Sequence, residues 1–233
     1  TLHQRRRPPS VAELASVPWL QVLQAEDQAW VSAQIMVGDA LAGDVVCRIG
    51  KAPTYWFGVV EGLLKMSTDN AQGMTMTFTG VPPGGWFGEG TALKREPYRY
   101  NIQALRNSVV AGLPLETFHW LLDHSIGFNR FVMNQINERL GQFIAAREID
   151  RMTNPDIRVA RSLAALFNPV LFPGVGEVLQ ITQQELAYLV GLSRQRVNVA
   201  LNALQQANWI RLEYGGVRVL NLNALRSHTL DTP

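Results

Sequence analysis

Two stretches of this chain have the residue types and spacing to hold anions. In the first, Arg194, Arg196 and Arg211 stand in a segment, Leu186 to Leu212, that contains no aspartate or glutamate. A planar guanidinium grips a phosphate or a guanine edge through two parallel hydrogen bonds, so an acid-free helix headed by arginines suits a polyanion. In the second, Pro82 to Ala104, glycines at 84, 85, 88 and 90 surround Glu89, and Arg99 follows ten residues on. Clustered glycine amides and a guanidinium can take a sugar phosphate while the carboxylate takes a ribose hydroxyl. A Gly-rich turn beside a structural Glu–Arg pair is the simpler alternative. The glycines do not run as G-x-G-x-x-G from a strand into a helix, so a dinucleotide fold is not expected.

Catalytic chemistry is not indicated. There is no nucleophile–base pair, metal-ligand spacing or phosphate-transfer loop. Cys47 is the single cysteine and reads as a small buried hydrophobe in a strand. It cannot form an internal disulfide or by itself hold an iron–sulfur cluster. His3, His119 and His124 stand in no ligand pattern.

The elements that must position the arginines are locally well marked. Thr182 and Glu185 form a capping box, and Leu186, Leu189 and Val190 share one helical face. Gly191 stops that helix, Ser193 can cap a second, and Val197, Ala200, Leu201 and Leu204 recur at helical spacing. Ala187, Gly191 and Val197, four and six residues apart, are the close-approach, turn and shared-core positions of a helix-turn-helix. Trp209–Tyr214 and Val217–Leu220 flank Gly215–Gly216 as a hairpin, which makes the unit a winged helix.

Upstream, the first ten residues read as a mobile arm carrying Arg5, Arg6 and Arg7, and Val11–Trp30 as helix, with Leu14, Val17, Leu20 and Leu23 every three. Short apolar runs (Val31–Val37, Val45–Ile49, Tyr55–Val60, Leu63–Ser67, Met74–Phe78) between turn residues predict a small antiparallel roll, with Asp69–Gly73 as a hairpin loop. Pro114–Leu122 reads as a short helix. From Ile126 to about Met152 follows a helix of roughly 40 Å, its stripe formed by Val132, Ile136, Leu140 and Phe143. That length favours pairing with a second copy. Asn154-Pro155-Asp156 restarts the chain as a hinge before the helix Asp156–Phe167.

The 233 residues are 47% hydrophobic and 17% charged with a net charge of +2, so the chain is globular and any nucleic-acid attraction must be local. No apolar run spans a membrane and no signal sequence is evident, so a cytoplasmic protein without membrane contact is expected.

A roll, a Gly–Glu cassette with a downstream arginine, a long helix and a winged helix occur in this order from Val11 to Leu225. Together with Ile181–Leu201 and the GGWFGEG…YRY run of Gly84–Tyr100, this resembles the Crp–Fnr family of transcription regulators. The resemblance implies an α+β fold. A cyclic-nucleotide-binding-like β-roll (jelly roll) over residues 11–124 leads through a long dimerisation helix and hinge, 125–153, to a winged helix-turn-helix over 154–233. It implies a homodimer that reads a two-fold site in double-stranded DNA under the control of the roll, with RNA polymerase as a further partner.

Carried over by position, Arg194 reads a guanine and Ser193 caps and touches phosphate. Gln195, in place of the usual glutamate, takes adenine or another edge. Arg196 and Asn198 are available for phosphate or base contacts, and Thr182 with Gln183 for backbone contacts. Val199 replaces a second base-reading arginine, so the operator should differ from that of cyclic-AMP receptors. Gly88, Glu89 and Arg99 match the ligand cassette. Tyr100, however, replaces the phosphate-binding serine, and Phe143 and Ile144 replace the adenine-binding Thr–Ser pair. A cyclic nucleotide remains open as effector, cyclic AMP is disfavoured, and the cysteine cluster of the iron–sulfur branch is missing. The competing function is a small-molecule-binding regulatory subunit whose helix-turn-helix docks a protein.

Overall fold

The computed structural model describes residues 2–69 and 75–227. In chain order its elements are β1 (Arg6–Arg7), α1 (Val11–Ala15), α2 (Ala25–Ser32), β2 (Met36–Ala40), β3 (Val45–Cys47), β4 (Tyr55–Glu61), β5 (Leu64–Asp69), β6 (Thr75–Val81) and β7 (Trp86–Phe87). There follow α3 (Glu89–Lys94), β8 (Asn101–Ala104), β9 (Ser108–Pro114), α4 (Leu115–His124) and α5 (Ile126–Asp150). The last third holds α6 (Pro155–Ala165), β10 (Val178–Gln180), α7 (Gln183–Val190), α8 (Arg194–Gln206), β11 (Ile210–Glu213), β12 (Gly216–Val219) and α9 (Leu222–Ser227).

Two antiparallel sheets make the roll, β1-β2-β9-β4-β7 and β3-β8-β5-β6. Successive side chains of a strand point to opposite faces. In β4, Trp56 accordingly packs with the helices, while Phe57 and Val59 enter the core between the sheets. That inner core also takes Cys47, Leu64, Met66, Phe87, Tyr98 and Ile102. On the outer face Trp19, Trp56 and Trp86 nest together, with ring centroids 4.5–5.7 Å apart. A Cβ at Gly58 would run into the indole of Trp86, so the glycine is what admits that ring.

Several expectations are corrected here. The amino-terminal arm is tied down: Arg6 and Arg7 pair with Gly38 and Val37 at the edge of β2, Arg5 forms an ion pair with Asp44, and Arg7 with Glu13 at 2.6 Å. The Val11–Trp30 helix breaks into α1, a 3₁₀ segment Pro18–Val22 and α2. An every-three spacing is the period of the tighter helix, and Pro18 starts it. Val31 ends α2 rather than beginning a strand, because it is buried among Trp19, Leu20 and Phe118, beneath the roll. The hairpin loop expected at Asp69–Gly73 and the start of the next strand at Met74 lie, beyond Asp69, outside the described residues, as does the side chain of His3.

The long helix α5 has 25 residues and is capped by Ser125. Its stripe divides. Phe128 and Val132 are buried against the roll, whereas Met133, Ile136, Leu140 and Ile144 face outward, the last two nearly 60% exposed. Beyond α5, Asn154 caps α6 with Pro155 in the first helical position. The carboxy-terminal core joins α6, α7, α8, α9 and the wing through Val159, Leu163, Leu186, Val197, Leu201 and Leu225. The wing is a three-stranded sheet, β10-β12-β11. Its outer strand Val178–Gln180 went unread because three residues show no period.

Candidate nucleic-acid interface and effector cassette

The helix-turn-helix is fixed by its caps. Thr182 accepts from the Glu185 amide at 3.2 Å and Glu185 accepts from the Thr182 amide at 2.7 Å, closing the box. Gly191 ends α7 with φ +66°, a left-handed conformation that glycine adopts without strain. Ser193 accepts from the Arg196 amide and starts α8, whose Val197, Ala200, Leu201 and Leu204 are buried.

The seven residues expected at this interface fall into two groups. Arg194 and Gln195 are exposed on the first turn of α8 and have no hydrogen-bond partner among the described residues. The other five are engaged within the chain. Thr182 and Ser193 are caps, and Gln183 donates to Asn198 at 2.8 Å, tying α7 to α8. Arg196 turns back to Asp156 at 2.6 Å, anchoring α8 to α6. The first turn of α8 thus offers two unengaged side chains on a rigid mount, beside the positive end of the helix dipole. In the wing, Arg218 is held between Glu213 and Glu177.

The cassette in the roll is arranged differently. Gly88, with φ +80°, turns the chain into α3, whose first residue is Glu89. Glu89 is 3% exposed and accepts from Arg139 Nε of α5 at 2.7 Å. Arg139 Nη2 also donates to the Trp86 carbonyl at 2.7 Å. One atom of each partner, Glu89 Oε2 and Arg139 Nη1, is buried without a hydrogen bond. Tyr100 lies over Gly88; burial, and then the Glu89 charge, push its phenol well above the usual tyrosine range. Burial likewise pushes the Cys47 thiol up to about 12, so it is no nucleophile.

Gly88, Glu89 and Tyr100 are therefore brought together, and Arg99 is not. Its side chain is 79% exposed and pairs with Glu96 at 3.1 Å. On the bend before β8, Tyr98 and Tyr100 pack into the core of the roll and Arg99 between them faces solvent. Arg139 was missed by the sequence reading. It sits on a helix fifty residues from its partner, and no spacing signals such a contact. His119 meets the Ala92 carbonyl and His124 stacks on Trp120, both structural arrangements.

The two halves are joined directly. Arg106, in the β8–β9 turn, grips the capping-box residue Glu185 through both carboxylate oxygens, with Nε–Oε1 at 2.7 Å. Burial works to raise the Glu185 pKa, but Arg106 and the Thr182 amide and hydroxyl outweigh it and hold it below the usual carboxylate range. Gln135 donates to the Val170 carbonyl, and Leu189 of α7 packs over Gly80 of β6.

With this geometry in view, the sequence matches the cyclic nucleotide-binding domain family over residues 39–125 and the Crp-like helix-turn-helix domain family over residues 157–228. The chain belongs to the Crp–Fnr family. The transcriptional regulator SdrP of Thermus thermophilus is 29% identical over 174 residues, 73% of this chain and 81% of its own length. LdrP of the same organism is 29% identical over 168 residues, 71% of this chain and 82% of its own. A solved CRP/FNR-family transcriptional regulator, also from Thermus thermophilus, is 26% identical, with TM-score 0.51 over 82% of this chain and 96% of its own. FixK2 of Bradyrhizobium japonicum shares the fold, with TM-score 0.65 at 14% identity over 82% of this chain and 95% of its own.

Family membership decides between the two readings of the helix pair: this is a sequence-specific DNA-binding transcription regulator with a β-roll sensor domain of the cyclic-nucleotide-binding type. Among the described residues no helix is long and apolar enough to cross a membrane.

Proposed function

We propose that the protein works as a homodimer on a two-fold DNA site, with Arg194 and Gln195 of each α8 reading base edges in successive major grooves. The observation that carries this reading is the exposed, unengaged pair at the head of α8. Thr182, Gln183, Ser193, Arg196 and Asn198 hold the helix at its angle, and the exposed cap hydroxyl of Ser193 also reaches phosphate. Pairing through α5 is supported by its outward row Met133, Ile136, Leu140 and Ile144, an apolar face too regular to leave in water. RNA polymerase is the downstream partner.

In the roll, Glu89 with Gly88 and Tyr100 forms the effector site. Its ligand has to engage Glu89 Oε2 and Arg139 Nη1 or displace one partner from the other. Arg99 stands outside this group in the structure and joins it only by swinging inward.

Selection of binding sequences from random duplex DNA tests the reading. It should return an inverted repeat with half-sites one helical turn apart, bound with a steep inverse dependence on salt. A Leu140→Glu variant should sediment as monomer and lose the repeat but keep half-site preference. An asymmetric or absent motif with the unaltered protein rejects the proposal.

A further inference from the structure

Three faces of α5 have distinct surroundings. One packs on the roll through Phe128, Val132 and Arg139. A second carries the outward apolar row. The third, roughly half a turn from that row at 3.6 residues per turn, lines a cleft of about 960 Å³ between the roll and the DNA-binding half. Pairing of two copies through the outward row therefore leaves this cleft open. Its volume lies at the upper end of the range for small-molecule sites.

The cleft has apolar walls and unmet polar groups. Phe78 of β6, Ile149 of α5, Leu166 after α6 and Leu189 of α7 line it. Gln142 of α5 lines it too, and both its amide nitrogen and its oxygen are shielded from solvent without a partner. Arg161 of α6 has a shielded, unpartnered Nε, and its ion pair among the described residues, with the exposed Glu148, is long at 3.8 Å. The neighbouring Arg158 is already engaged by the Val190 carbonyl, 2.9 Å away. Shielded amide and guanidinium atoms need partners, and among the described residues protein atoms do not supply them here.

From this geometry we infer that the cleft is a second effector site, separate from the Glu89 cassette, for an amphipathic organic anion. The acid group pairs with Arg161, Gln142 exchanges hydrogen bonds with a polar group beside it, and the hydrocarbon lies along Phe78, Ile149, Leu166 and Leu189. Because its walls come from β6 on one side and α6 and α7 on the other, an occupant sets the placement of the DNA-binding half. By linkage, operator DNA then changes the affinity for that occupant in equal measure.

The test uses the full chain without DNA, so it stands apart from the DNA-reading proposal. Anilinonaphthalene sulfonate, an amphipathic anion of suitable size, should bind with a saturable rise in fluorescence and be displaced by decanoate. Arg161→Gln should weaken both by about tenfold, the loss expected for one hydrogen bond to a charged group. Ala146→Trp, which puts an indole into the cleft, should abolish binding with the melting temperature kept. If the tryptophan variant does not fold, Arg161→Gln and Gln142→Leu decide. Titrations unchanged in these variants, or a probe that decanoate does not displace, overturn the inference. Operator affinity should shift with decanoate in the unaltered protein, and the same shift should need about tenfold more decanoate in Arg161→Gln.

Discussion

At the head of α8, the side chains of Arg194 and Gln195 face solvent with nothing among the described residues to hold them, while those beneath them are capped, paired or packed. In the roll the polar groups of the cassette have closed on each other, Glu89 on Arg139 and Arg139 on the Trp86 carbonyl. The outer site keeps its hydrogen-bonding capacity for a partner, and altering it should leave the fold intact. The inner site is part of the fold, so a ligand there competes with an internal ion pair, and altering it should alter stability first.

The sharpest way to break this contrast is Arg139→Ala. Leaving Glu89 buried and uncompensated should cost about 3–5 kcal/mol in thermal or denaturant unfolding. Replacing both partners with apolar residues of similar size should recover most of that loss. A cost near that of a surface substitution would mean that the cassette is open. Next in size, Arg194→Ala should reduce specific operator binding by roughly 1–3 kcal/mol per lost base contact and leave the melting temperature unchanged.

A subtler effect belongs to the contact between the halves. The folded-state pKa of Glu185 is lowered, so its stabilising contribution is complete above the unfolded value near 4.5 and is lost as pH falls through the folded value. Amide hydrogen exchange in α7 and α8, followed as pH is lowered, should show the carboxy-terminal half weakening in that window. Arg106→Ala should flatten the dependence. The smallest effect is expected of Arg99→Ala, whose exposed side chain holds only Glu96; stability should move by less than about 0.5 kcal/mol. A larger change, or loss of effector response, would bring Arg99 back into the cassette.

How much of this the chain disclosed follows the range of the forces. The helix-turn-helix was legible because its signals are local: Thr182 and Glu185 three apart, Gly191 at a left-handed turn, Ser193 before an apolar period. Strands β3, β4, β5 and β6 were legible as runs between turns, but β9, which pairs with both β2 and β4, was not read. The amino-terminal segment was not, because Val31 lies in a helix for the sake of burial against residues far along the chain. The division of α5 was hidden as well. Its apolar residues form two faces, toward the roll and outward, and a single stripe drawn through Val132 and Leu140 crosses both. The partner of Glu89 depends on the packing of α5 against α3, and nothing near Arg139 announces it.

The nest of Trp19, Trp56 and Trp86 has an optical consequence. Three indoles within 6 Å of one another share excitation and report as one chromophore on the helix-covered face of the roll. Trp209 lies in the other core, against the wing, and Trp30 and Trp120 form a second pair 4.7 Å apart beside the roll. Near-ultraviolet dichroism of the coupled rings therefore reports on the packing of the roll, and Trp209 emission reports on the other core once the Trp30–Trp120 pair is replaced by phenylalanine. Whether the roll and the DNA-binding half unfold together or in turn can be read by comparing the two signals.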